Sequence, residues 1–470
     1  MTLRLALAGL LLLGAAPTLA AGRIPYGGEL RLAHTGPAEL AEPALSDTPT
    51  EATLLGLLTQ PACRLAPDGQ PTPALALEVS RPSPQVVRLT LPSAAHASAL
   101  ARAWGRLASG ELPSPYRALL FPLRGEGRQL AATGDALELT LAFPWPDLER
   151  ALCHPALAPP RAPTLLLAPF GPASTPATLE ARASWPQGRA YLDTLHLTAT
   201  NERGLYRLWN AREAHLTLGL FAEPTLGYLR APPGARPLTG PALYATYLAW
   251  TPRRVPADFR QAVESVLNRE DLARDFVSGP ALPMPHLLPP ALLTQAPGVR
   301  PPKPPVQPGR KVTLLYEADS KDQRAVAERL QLQLNERGYV VALLPLPRGE
   351  LRARQARGDY ELMLQALLLP PVPGPALAVV LDAAGRKDLL GVELARIGGL
   401  TDAVARDTRA RERAVALAPS VPMLPLYTQG VVLHAAPEVG GLALDAQGLP
   451  LLDAAFLLPP PPAGGPGARR

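Results

Sequence analysis

The stretch from Lys311 to Leu364 constrains the fold more than any other. Lys311 to Tyr316 is an apolar run of strand length, Asp322 to Arg337 carries a helical apolar period that stops at Gly338, and Tyr339 to Leu344 is a second apolar run. A further helix over about Gly349 to Arg357 leads to Tyr360-Glu361-Leu362-Met363-Leu364, a third strand. Strands and helices alternating through short loops predict a parallel sheet covered by helices. Ligands of such sheets sit outside the carboxyl ends of the strands.

A chain of 470 residues exceeds what one hydrophobic core serves, so two or three domains are expected. The 59 prolines redirect the chain often, yet long periodic segments persist between them and exclude global disorder. Near the start, Gly28 to Ala33 alternates like an opening strand and breaks at Gly36-Pro37. Asp47 or Thr48 can cap the helix that follows, Pro49 suits its first turn, and Glu51 stands three residues after Thr48 as a capping box requires. Val86 to Leu91 and Leu137 to Leu141 read as strands flanking a helix near Ala97 to Leu107, which makes a small α+β lobe. Pro289-Pro290 and Arg300 to Pro305 predict a stiff connector, and Pro459 to Arg470 a disordered tail.

The first twenty residues predict a compartment. Arg4, the apolar run Leu5 to Leu13 and the small-residue end Thr18-Leu19-Ala20 form a signal peptide over residues 1–20; an uncleaved anchor is the competing reading, opposed by Gly14 and Pro17. No cysteine follows the apolar run, which favours a free periplasmic protein over a lipid-anchored one. An oxidising compartment permits Cys63 and Cys153 to pair, and two buried thiols are the alternative. The net charge of +6 is spread along the chain and the aromatic residues are scattered, so no nucleic-acid face is expected.

Several segments in order resemble the oligopeptide and dipeptide binding family, the solute-binding proteins of bacterial ABC importers. Gly27-Gly28-Glu29-Leu30-Arg31-Leu32 is similar to the family's opening strand, and Glu42 to Thr48 stands where the family has an Asp-Pro loop. Ala168-Pro169-Phe170-Gly171 resembles its Gly-Thr-Gly-Pro-aromatic turn, and Gly188 to Asp193 its crossover segment. Tyr247-Leu248-Ala249-Trp250, then Phe259 to Val263 and Leu267 to Leu272, resemble a strand, helix and turn in linked order, and Leu424 to Tyr427 with Gly441 to Asp445 resemble the return to the first domain. The resemblance implies an α/β, type II periplasmic-binding-protein-like two-lobed clamshell with an additional third α+β domain. Its first lobe would be discontinuous, over 24–46, 165–250 and 430–458; the small domain would cover 47–164 and the second lobe 251–429. It further implies a monomer without cofactor that captures a small solute, such as a short peptide, and delivers it to an ABC permease in the inner membrane.

Thr48, Phe170, Tyr247, Trp250 and Tyr427 are the candidate ligand-binding residues. A helix cap competes as the role of Thr48, and plain core packing competes for the four aromatics. The family holds a peptide's amino terminus with an aspartate after the third strand, but here nothing between Glu361 and Asp382 is acidic. No amine-binding residue carries over, and a clamshell scaffold without a ligand is the alternative reading. The histidines 34, 96, 154, 196, 215, 286 and 434 never show metal-ligand spacing. No phosphate loop, zincin motif or nucleophile elbow is present, so neither a metal, a cofactor nor a catalytic residue is expected.

Overall fold

The computed structural model describes residues 24–35, 42–123, 130–162, 164–219, 234–255, 259–293 and 309–459. The expected signal peptide, the break at Gly36-Pro37, the connector over 300–305 and the tail from 460 lie outside these. Among the described residues no helix is long and apolar enough to cross a membrane.

The predicted parallel unit is present. Strands Arg310–Glu317 and Tyr339–Leu346 pair in parallel, and Leu362–Leu368 joins the first of them in parallel. Helix Lys321–Asn335 crosses between the first two and buries Val326, Ala327, Leu330 and Leu334, while helix Arg348–Arg357 makes the next crossing and ends at Gly358 in the left-handed conformation. Ser320 caps the longer helix, its hydroxyl accepting from the Gln323 amide at 3.2 Å, which satisfies one of the donors a helix start leaves open. Two antiparallel strands, Tyr244–Trp250 and Met423–Gln429, and the short Ala281–Pro283 complete a six-stranded mixed sheet.

A second sheet of seven strands carries the other lobe. Its centre is the opening strand Glu29–Thr35, parallel to both Thr194–Thr200 and Leu216–Leu218, and Val432–Ala435 near the end of the chain joins it through Leu216–Leu218. Two differences from the sequence reading concern boundaries. Tyr244–Trp250, read there as closing the first lobe, hydrogen-bonds wholly within the second lobe's sheet, because its partners are Leu362–Leu368 and Met423–Gln429. Helix Pro49–Gly56, read as opening the small domain, buries Ala52 and Leu54 in the first lobe's core with Phe170 and Trp209.

The small domain is an antiparallel sheet of Glu78–Ser83, Val86–Thr90, Ala136–Thr140 and Leu130–Thr133, packed on helix Ala94–Ser109. Its core is continuous with that of helices Pro373–Ala383, Lys387–Gly398 and Ala403–Leu417. Buried Arg406 bonds Asp147 at 3.1 Å and Arg117 bonds Asp382 at 2.7 Å across the same contact. Cys63 and Cys153 are joined by a disulfide, 90 residues apart in sequence, so the pairing left open above is made.

The chain crosses between the two large sheets side by side. One passage follows strand Arg236–Thr239 and the other follows Met423–Gln429, and the Gly240 amide donates to the Val431 carbonyl at 2.9 Å. Here glycine is required by space: a Cβ on Gly430 would lie 2.4 Å from the Gly240 carbonyl oxygen, and one on Gly240 would lie 2.6 Å from the Gly448 Cα. Backbone cannot yield as a flexible side chain would. Gly430→Ala is therefore expected to destabilise by about 1–3 kcal/mol, the usual cost of overpacking, measured by equilibrium unfolding.

Candidate functional site

Between the two large sheets lies a crevice of about 610 Å³. Its wall on the second lobe is a row across three antiparallel strands: Thr246 stands opposite Tyr427 on one side and Ala366 on the other, and all three face the opening. Tyr244 and Gln429 form the neighbouring row. On the first lobe, Thr35 and Thr200 end two paired parallel strands and Leu218 ends a third, so the opening sits at their carboxyl ends.

Among the described residues four helices begin at the crevice, one of them with Arg348 as its first residue. Thr48, Asn201 and Ser320 line it and each caps its own helix, the Thr48 oxygen accepting from the Glu51 amide at 3.2 Å and the Asn201 oxygen from the Gly204 amide at 2.9 Å. Asp322, in the first turn of helix Lys321–Asn335, accepts from the Ser278 amide at 3.1 Å, the Ser278 hydroxyl at 2.7 Å and the Gln429 amide at 3.3 Å. Burial holds its carboxyl above the ordinary range, and these neutral donors only partly offset that.

Among the described residues ion pairs join the lobes at two places. Lys321 Nζ reaches Glu202 of helix Glu202–Asn210 at 3.1 Å, in an exposed position. Deeper, Arg348 of the second lobe bonds Glu51 of the first and also Glu317 at 2.6 Å, and Arg352 lies 3.1 Å from Asp47. Burial raises the Glu317 carboxyl despite Arg348 beside it.

Of the five residues singled out from the sequence, the structure brings two into the crevice. Thr48 has both roles weighed for it, cap and lining, and Tyr427 is part of the wall. The other three lie in cores. Phe170 is buried in the first lobe, Trp250 stacks edge-on against Phe259, and Tyr247 donates its hydroxyl to the Leu287 carbonyl at 2.8 Å. Strand alternation decides this: Tyr244 and Thr246 point to the crevice, so Tyr247 points away, and Trp250 sits on the right face but beyond the opening.

The overall arrangement has known counterparts, although no protein-family model and no curated protein matches the chain. Among solved structures it is similar to DppA from Helicobacter pylori, an ABC transporter-associated periplasmic binding protein in complex with the peptide STSA, with a TM-score of 0.74 at 15% identity, covering 92% of this chain and 98% of that one. The murein tripeptide binding protein MppA of Escherichia coli gives a TM-score of 0.73 at 16% identity, over 92% and 99% of the two chains. The fold is that of the ABC-transporter substrate-binding proteins. AgaA of A. tumefaciens R10, in complex with agropinic acid, shares this substrate-binding fold with a TM-score of 0.71 at 14% identity, over 92% and 99%. The type II clamshell expected from the sequence is thus the fold observed.

Sequence reasoning missed the polar half of the site. Asn201, Glu202, Ser278, Asp322 and Arg348 all line the crevice of this substrate-binding fold. A signal was available for Asp322, which falls just past an apolar strand of a parallel unit, where ligand groups are expected. Glu51 meets Arg348 from nearly three hundred residues away, and nothing local in either segment announces that.

Proposed function

We propose that this chain is the solute-binding protein of a bacterial ABC importer, working in the periplasm after removal of residues 1–20. It captures a short peptide or another small organic solute in the crevice by lobe closure and presents it, as a monomer, to a membrane permease. The observation that carries this reading is the crevice itself, lined from both lobes. A solute held there makes contacts in the closed form that an open form lacks, and that difference shifts the population toward closure. The volume falls in the range that small-molecule sites occupy.

The site supports binding without chemistry. Arg348 and Lys321 are engaged in ion pairs that position them, and the reading needs only contacts from the lining groups. The ligands in the similar structures, a peptide in DppA and agropinic acid in AgaA, are of the size the reading requires.

A thermal-shift screen of the mature protein against peptides, amino acids, amines and sugars tests it. A true solute at a hundred times its dissociation constant should stabilise by about 2.7 kcal/mol. Silence across the screen would favour a ligand-less scaffold, and turnover of any compound would contradict the proposal.

A further inference from the structure

The charges that line the crevice are unevenly matched. Four carboxylates face it, from Glu202, Glu317, Asp319 and Asp322, against two cations, Lys321 and Arg348. Both cations are already engaged. Arg348 donates through Nε and Nη2 to Glu317 at 2.9 and 2.6 Å and through Nη1 to Glu51, so its guanidinium is held between two buried carboxylates. Lys321 is paired with Glu202. Among the described residues, neither Asp319 nor Asp322 has a cation within ion-pair distance, and the groups that hold Asp322 are the neutral Ser278 and Gln429.

We propose that the crevice selects an organic cation without a carboxylate, such as an amine or a peptide amide, with Asp322 as the principal counter-charge. This rests on the solute-binding reading above. A carboxylate withdrawn from water without a cation is costly, and an incoming ammonium group relieves that cost at Asp322. The hydroxyls of Thr35, Thr200 and Thr246 line the same crevice and can accept further N–H donors of the solute. A solute carboxylate fares worse. It would meet two aspartates without a cation, and the cations it could approach already carry carboxylate partners, Glu202 on Lys321 and Glu51 with Glu317 on Arg348.

Calorimetric titration of the mature protein at pH 7 with four probes tests the inference: alanyl-alanine amide, 1,5-diaminopentane, zwitterionic alanyl-alanine, and N-acetyl-alanyl-alanine. The amide and the diamine should bind at least tenfold more tightly than the zwitterion, and the acetylated peptide should not bind. Asp322→Asn keeps the side-chain shape and should weaken the amide at least tenfold. Alanyl-alanine binding as tightly as its amide, or binding of the acetylated peptide, would overturn the cation preference while leaving the solute-binding reading intact. Undiminished amide binding by Asp322→Asn would overturn the role of Asp322. The probe ranking on the unaltered chain decides the matter even if the variant fails to fold. Silence of all four probes would overturn the inference, and silence extending across the broad screen would overturn the reading beneath it.

Discussion

Replacing Cys63 and Cys153 together by serine is expected to destabilise the protein by about 4 kcal/mol. The bridge closes a loop spanning 90 residues, and in the chain-entropy account a loop of that size withdraws roughly this much freedom from the unfolded chain. The bonded sulfurs are buried in the small domain's core with Leu148 and Leu152, so the pair is a staple within packed structure and not a surface link. Urea unfolding of the double variant against the oxidised parent measures the loss. A change below about 1 kcal/mol would mean that the packing of the small domain on helix Pro373–Ala383 holds the two segments together unaided.

Arg348→Met carries the next largest expected effect, a loss of about 3–5 kcal/mol. The guanidinium lies between Glu51, whose side chain is 1% exposed, and Glu317, whose side chain is 11% exposed. Removing the cation withdraws compensation from both carboxylates at once, and this one-sided loss is the costly way to break a buried pair. Adding Glu317→Gln to the variant should recover part of the stability, because a neutral amide tolerates burial better than a bare carboxylate. Equilibrium unfolding of the single and double variants gives the coupling directly. A single-variant loss under about 1 kcal/mol would show that the two carboxylates regain water by the lobes parting. In that event Arg348 would act on closure and not on folding.

The parallel unit was legible because each part of it announces itself locally. Val312, Leu314 and Leu315 make an apolar strand, Ser320 caps, Val326 and Leu330 face the sheet, and Gly338 and Gly358 mark where the two crossover helices give way. The helix after Thr48 was legible for the same reason. The site was only half legible. Aromatic character singles out Tyr247 and Trp250, but residue type does not say which face of a strand a side chain takes, which turns Tyr247 away, nor how far along the strand the opening reaches, which leaves Trp250 outside it. Tyr244 and Thr246, the residues that do face the crevice, were passed over beside them. Glu202 and Lys321, or Glu51 and Arg348, acquire meaning only when two distant segments meet, so no window of sequence contains them.

Closure of the two lobes around a solute is open to direct measurement. Spin labels at Arg207→Cys and Glu328→Cys would stand on exposed turns of helices Glu202–Asn210 and Lys321–Asn335, which begin on opposite sides of the crevice. With a solute found in the screen at saturating concentration, the distance distribution between them should shift to shorter values and narrow. A distribution unchanged by a solute that calorimetry shows to be bound would contradict capture by closure.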